Sequence, residues 1–236
     1  MQLSKRLKSA AAYVSKGNVT ADVGCDHAYT SIYLVNNNIA PHVYAMDVNE
    51  GPIIRARKNV SDHGLDDKIT VIRSDGLKEA KAEYGIQTVL ISGMGGNLII
   101  DILKASDLVN KQYDELVLQP QSDVARVRHY LHEMNYCIKS ENMVYEDEKY
   151  YVIIKAAPGN EAYENEWEYE YGKYLIDTCN RTFADYISYV HKVNDRILEH
   201  LSDHDVNTET RKNRINDILK ENEVIERILA GIHHTK

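Results

Sequence analysis

The chain has 236 residues, 28 Lys/Arg against 36 Asp/Glu, a formal net charge of −8 at pH 7 and 43% hydrophobic residues. That length can bury a core in one large or two modest domains. No apolar run approaches membrane-spanning length, and the acidic balance argues against binding nucleic acid through overall charge. Cys25, Cys137 and Cys179 show no CxxC or paired spacing, so neither a zinc site nor a disulfide framework is expected. Lys5, Arg6 and Lys8 are followed by no apolar signal segment, and the chain reads as cytoplasmic with reduced thiols.

The first predicted strand, Val19 to Val23, runs into Gly24-Cys25-Asp26-His27-Ala28-Tyr29, and an amphipathic pattern follows from Thr30. Strand, glycine turn and helix form the entry unit of a doubly wound nucleotide-binding domain. There the turn admits a ligand close to the backbone, and the helix start offers unpaired N–H groups. A second strand (Val43 to Met46) ends at Asp47, and a third (Ile69 to Ser74) ends at Asp75-Gly76. A fourth (Thr88 to Ile91) ends at Ser92-Gly93-Met94-Gly95-Gly96, and a fifth (Glu115 to Leu118) at Gln119-Pro120-Gln121. Polar and glycine residues thus gather at the carboxyl ends of five strands, the edge at which such sheets bind ligands.

Tyr136 to Val144 and Tyr150 to Ala156, separated by Glu146-Asp147-Glu148-Lys149, read as an antiparallel hairpin completing the sheet edge. The organisation changes near Pro158-Gly159-Asn160, which divides a first domain, 1–159, from a second, 160–236. Apolar residues from Trp167 through Phe183 and Ile187 to Leu201 recur at helical spacing as one stripe. After the polar break Ser202 to Thr208, with Thr208 as N-cap, a second stripe runs from Ile215 to Ile232. The pair predicts an antiparallel helical hairpin, a C-terminal α-helical coiled-coil domain. It is read as self-packed, as a lever against a partner or as a dimer interface; a monomer is expected. Residues 1–159 carry a balance of −2 and residues 160–236 a balance of −6. Within the first span cations bunch at Lys5-Arg6-Lys8-Lys16 and Arg55-Arg57-Lys58. Phosphate contact needs only such local potential, although solvated helix faces give the same pattern.

A dinucleotide turn requires G-x-G-x-x-G to pass a pyrophosphate over the helix start. Here the second and third glycines are missing, and Asp26 would repel a phosphate. An adenosine ligand with a cationic amine and no phosphate suits these acids better. S-adenosylmethionine has an amine and a sulfonium, a ribose diol for Asp47 and an adenine amino group for Asp75. The charge argument excludes NAD more firmly than it selects S-adenosylmethionine.

Asp22-Val-Gly-Cys-Asp-His-Ala-Tyr29, Asp47-Val-Asn-Glu-Gly-Pro52, Asp75-Gly-Leu77, Ser92-Gly-Met-Gly-Gly96 and Leu118-Gln-Pro120 occur in that order. With Leu3-Ser-Lys-Arg-Leu7 and Glu148-Lys-Tyr-Tyr-Val-Ile153, they resemble the bacterial tRNA (adenine-22-N1)-methyltransferase family over about the first two-thirds of the chain. The resemblance implies a Rossmann-like class I methyltransferase domain followed by a helical coiled-coil domain. It also implies S-adenosylmethionine as cofactor, tRNA as partner, and methyl transfer to a ring nitrogen of adenine. It favours tRNA contact for Arg6 over a solvated helix face.

Asp47 on the ribose and Asp75 on the adenine amino group are the leading cofactor contacts, with Gly76 and Leu77 beside the ring. Gly24 gives close approach, Asp22 orients the loop or holds the methionyl amine through water, and His27 bonds the cofactor carboxylate or simply starts the helix. Gly93 and Met94 line the cleft where donor and acceptor meet, or form a plain strand-to-helix turn. Adenine N1 attacks through an in-plane lone pair, so alignment and desolvation supply much of the catalysis. A carboxylate near the developing ring charge would help, and Asp26 is the candidate. Tyr29 could stack on a flipped base or pack under the first helix; Gln119 completes the substrate side. An Asn/Asp-Pro-Pro-aromatic element, suited to exocyclic amines, is absent after the fourth strand, and no cysteine is placed for cytosine C5 chemistry. The alternative is a methyltransferase acting on a small molecule, for which the chain offers no apolar lid.

Overall fold

In the computed structural model, which describes residues 3–106, 113–202 and 209–234, helices α1 (Lys5–Tyr13), α2 (Tyr29–Asn36), α3 (Glu50–Asp62), α4 (Gly96–Ala105) and α5 (Val124–Glu133) alternate with strands. The strands are β1 (Thr20–Val23), β2 (Val43–Asp47), β3 (Ile69–Arg73), β4 (Thr88–Met94) and β5 (Glu115–Pro120), followed by the hairpin β6 (Tyr136–Glu146) and β7 (Lys149–Pro158). The seven-stranded sheet has the order β3-β2-β1-β4-β5-β7-β6, with β1 to β5 parallel and β7 antiparallel to both neighbours. This is the Rossmann-like class I methyltransferase arrangement with its antiparallel hairpin edge. Chain direction across the sheet reverses between β1 and β4, so a crevice opens at their carboxyl ends.

Burial explains the element types. Every residue of β1 and of β5 is buried, as for central strands covered on both faces, whereas edge strand β3 mixes one buried position with half-buried and exposed ones. Helices α1, α2 and α3 pack together on one face, α4 and α5 on the other. Ala10, Ala11, Ala28, Ala45 and Ala56 sit in the core between the first layer and the sheet, where small side chains let backbones approach. The two-residue hairpin turn uses Asp147 and Glu148, both at positive φ (49° and 60°), the geometry that matches the twist of the flanking strands.

The ion pair between Arg128 and Glu141 is entirely inside. Arg128 Nε on α5 donates to Glu141 Oε1 on β6 at 2.8 Å, with 1% and 0% of the side chains exposed. Arg128 Nη1 also donates to the carbonyls of Tyr169 (2.6 Å) and Glu170 (3.0 Å). Removing one partner leaves a charge buried without compensation. Arg128→Met is therefore expected to lower stability by roughly 3–5 kcal/mol, read as a shift of the urea unfolding midpoint.

The chain divides into two compact units, Met1–Glu170 and Tyr171–Lys236. The segment after β7 packs on α5 and β6: Glu161 Oε2 accepts from Ile138 N of β6 at 2.8 Å and bonds His132 Nε2 of α5 at 3.2 Å, and Tyr169 OH bonds His132 Nδ1 at 3.1 Å. The single helical stripe expected from Trp167 to Leu201 is in fact three helices, α6 (Glu166–Tyr171), α7 (Lys173–Thr178) and α8 (Arg181–Ser202). Gly172 (φ 87°) and Cys179 (φ 35°) break it in left-handed conformations, and Asn180 Oδ1 then caps Phe183 N at 2.9 Å. α8 pairs with α9 (Glu209–His234) around buried Phe183, Ile187, Ile218 and Ile225. Buried Asn194 donates to Asn222 Oδ1 at 3.0 Å and Glu221 Oε2 at 3.1 Å, a polar lock that sets the register of the two helices. The Thr208 N-cap lies outside the described residues. Among the described residues no helix is long and apolar enough to cross a membrane.

Candidate active site

The glycine turn folds back on the neighbouring strand. Gly24 N and Cys25 N both donate to Met46 O (2.8 and 3.0 Å), and Ala28 N donates to Cys25 O at 2.7 Å. Gly24 lies at φ +74°, and a Cβ there would stand 2.0 Å from Met94 Cε. Met94, at the tip of β4, thus closes over the turn that follows β1. Asp47 ties the two loops together: its Oδ2 accepts from Asp26 N at 3.3 Å and its Oδ1 from Asn49 N at 2.9 Å. Gly24, Asp26, Asp47 and Met94 therefore form one continuous rim across β2, β1 and β4.

Beside the rim, the Asp26 side chain is 65% exposed, with Arg55 Nη2 at 3.9 Å and His27 Nε2 at 3.6 Å. The His27 ring stacks on Tyr29 at 5.2 Å between centroids, and Tyr29 is partly open to solvent. Asp75 follows β3 next to Asp47, since Ser74 N donates to Asp47 O at 2.9 Å. Its carboxylate is paired with Lys78 Nζ at 2.5 Å, and Gly76 packs against Ile102. The Asp75-x-x-Lys78 spacing was the available sequence signal for that pair, just as the Arg55 bunch was for the Asp26 neighbour.

A second cluster stands at the tips of β4 and β5. Gln119 Oε1 accepts from Arg6 Nη1 at 2.6 Å and from Gly93 N at 3.0 Å. The Arg6 Nη1 atom lies 3.2 Å from where a Gly93 Cβ would stand. The guanidinium also lies over the Tyr151 ring at 5.2 Å. Arg6, Gly93 and Gln119, scattered over 113 residues of sequence, are here in direct contact. Tyr151 and Glu146 reach Arg6 from the hairpin; the sequence placed them only in the Glu148 to Ile153 block and the polar turn, with no sign that either belongs to the site. Among the described residues no group of three His, Cys, Asp or Glu side chains is arranged to hold a metal ion.

Asp22 lies beneath the rim, 2% exposed, with Ser31 Oγ donating to its Oδ2 at 2.6 Å. Burial pushes its carboxyl up to about 6, with repulsion from Asp47 adding and the Ser31 bonds opposing. The native state thus holds this proton more tightly than the unfolded chain does. Its stabilising effect is complete below pH 4 and is lost as pH rises through about 6. Between pH 4 and 7 the decline is on the order of 2–3 kcal/mol. Asp22→Asn is expected to flatten that part of the stability curve in urea titrations at pH 4.5 and 7.5.

With that geometry in place, likeness to known proteins becomes informative. Residues 3–154 match the family described as "Methyltransferase domain". The tRNA (adenine(22)-N(1))-methyltransferase of Bacillus subtilis is 36% identical over 160 residues, covering 68% of this chain and 67% of the relative. The crystal structure of the Bacillus subtilis tRNA methyltransferase TrmK is similar with a TM-score of 0.82 and 29% identity, over 97% of this chain and 99% of that one. M. capricolum TrmK, solved in complex with the natural cofactor product S-adenosyl-homocysteine, has a TM-score of 0.80 and 33% identity over 95% and 100% of the two chains. The two structural likenesses cover nearly the whole chain, the family match only residues 3–154. The chain belongs to the methyltransferase-domain family and, within it, to the tRNA (adenine(22)-N(1))-methyltransferases.

Proposed function

We propose that this chain transfers a methyl group from S-adenosylmethionine to N1 of adenine 22 in tRNA. The observation that carries the reading is its 36% identity to a relative named for that activity. The chemistry of the strand tips is consistent with it: a glycine turn without a phosphate-binding pattern, rimmed by Asp26, Asp47 and Asp75, suits an adenosine ligand that is cationic.

When bound, S-adenosylmethionine supplies an electrophilic methyl group on a sulfonium sulfur. Asp47 accepts from both ribose hydroxyls, and its own bonds to Asp26 N and Asn49 N support this role by holding it at the rim. Asp75 accepts from the adenine amino group once Lys78 turns away, with Gly76 and Leu77 against the ring. Gly24 permits close backbone approach. Asp22, buried beneath the rim on Ser31, orients the turn and meets the methionyl amine only through water, and His27 serves the methionyl carboxylate. Gly93 and Met94 line the meeting point of donor and acceptor. Because adenine N1 attacks directly, the protein aligns the base and excludes water. Asp26, exposed at the rim, faces the positive charge that develops on the ring. Arg6 and Gln119 hold the substrate nucleotide, and Tyr29 stacks on the base after it leaves its pair, since N1 lies on the Watson–Crick edge.

The acting unit is proposed to be a monomer, working on tRNA in the cytoplasm. The test is transfer of labelled methyl groups to tRNA lacking the modification. A single primer-extension stop at position 22 is expected, lost in a transcript carrying guanine there. Labelled small molecules with unlabelled tRNA would overturn the reading.

A further inference from the structure

Arg6 reaches the cleft from a helix that precedes the sheet, and a carboxylate from the far hairpin holds that helix in place. At the start of α1, Ser4 Oγ accepts from Leu7 N at 3.2 Å. The other two amides of the first turn, Lys5 N and Arg6 N, donate to Glu146 Oε1 at 2.6 Å and Oε2 at 3.2 Å. A local residue usually caps a helix start. Here Ser4 is that local cap, but the remaining first-turn amides are met from 140 positions away in the sequence, and residues 1–21 contain no acid that could complement the helix dipole.

The same hairpin also supports the other end of Arg6. Glu146 is the last residue of β6, and after the tight Asp147-Glu148 turn β7 returns with Tyr151, whose ring lies 5.2 Å from Arg6 Cζ. Lys5 Nζ donates to Tyr145 O at 3.4 Å, and Asn142 Nδ2 to Ser9 Oγ at 3.1 Å, so α1 is tied along β6. The Arg6 main chain is set by Glu146, its guanidinium plane by Tyr151 and its Nη1 by Gln119, the residue that also holds Gly93 N. Lys155, Glu115 and Ser15 form a comparable polar network at the opposite end of β5, but that one closes on the buried Glu115 carboxylate (Lys155 Nζ to Glu115 Oε2 2.7 Å). Of these two networks, the Glu146 one ends on a cation beside the strand tips proposed to hold donor and acceptor.

We infer that Glu146 is a positioning residue: it acts through α1 to set Arg6 beside Gly93, and so governs methyl transfer to bound tRNA but not cofactor binding. The inference rests on the proposed tRNA methylation. A shift of about an ångström in a substrate-positioning group costs on the order of 100-fold in rate, and Glu146 is the group whose loss would free the Arg6 main chain.

The test is a double-mutant cycle on the full chain with Glu146→Ala, Arg6→Ala and the double variant, plus Glu146→Gln. Methylation of unmodified tRNA and calorimetric binding of S-adenosyl-homocysteine are measured for each. Glu146→Ala is expected to lower kcat about 10- to 100-fold with cofactor Kd changed less than about two-fold. Glu146→Gln, which keeps one acceptor oxygen, recovers part of the rate. In the Arg6→Ala background the Glu146→Ala change should add less than about two-fold, because the group through which it acts is gone. Multiplying losses, or a cofactor Kd that rises in step with the loss of rate, would overturn the inference. If Glu146→Ala does not fold, the Gln variant alone and in the Arg6→Ala background decides by the same criterion. A wild-type chain that transfers no label to tRNA would instead overturn the proposed function itself.

Discussion

Gly24→Ala is expected to remove cofactor binding while leaving the chain folded. The residue sits at φ +74°, where an L side chain is strained by about 1–2 kcal/mol. Its Cβ would stand 2.0 Å from Met94 Cε. A methionine methyl can move aside, so the fold survives. The added methyl group then fills the space over the turn that a ligand needs for close approach, and the displaced Met94 crowds the same rim. An increase in the S-adenosyl-homocysteine Kd of about 100-fold or more, near 2.7 kcal/mol, is the expected calorimetric result, with the circular dichroism spectrum unchanged. Near-normal affinity would mean the ligand does not pass over this turn. Ala at Gly85, a surface turn with nothing within 4 Å of its Cβ position, serves as the control for φ strain alone.

Asp47→Ala should have an effect at least as large, for two separable reasons. Its carboxylate accepts from Asp26 N and Asn49 N, holding the loops after β1 and β2 together. It is also the proposed acceptor for the ribose diol. Hydrogen bonds to a charged acceptor are each worth about 1.5–3 kcal/mol, so losing two predicts a Kd rise of roughly 100-fold to 10,000-fold. Comparing S-adenosyl-homocysteine with an analogue lacking both ribose hydroxyls distinguishes the causes. If the ribose contact dominates, wild type and variant bind the analogue about equally. If loop order dominates, the variant binds both ligands poorly. Asp47→Asn, which keeps an acceptor oxygen, should fall between wild type and Ala.

Strand-to-turn boundaries were legible because they are local. A run such as Val43 to Met46 ending in Asp47 announces both a buried strand and a polar tip within a few residues, and the structure places that tip beside the Gly24 turn. Strand order was not legible. A hairpin can join a parallel sheet through either of its strands, and nothing near Tyr136 or Tyr150 says that β7 and not β6 pairs with β5. The helical stripe was misread as continuous for a related reason. Apolar spacing persists across Gly172 and Cys179, and a cysteine at φ 35° is not announced by its residue type. The surroundings of the rim acids divide in the same way. Lys78 over Asp75 follows from i,i+3 spacing, whereas Arg6 on Gln119 requires α1 and β5 to be neighbours in space.

By itself, then, the order of residues determined the strands, the sheet class and the chemistry available at each strand tip, because periodicity, glycine turns and terminal acids act over a handful of positions. Which of those tips meet, what covers them and what reaches in from α1 and the hairpin was decided only by tertiary structure. Contacts such as Glu146 with Arg6 join residues 140 apart, and a chain reveals such partners only once burial of its core has brought them to the same place.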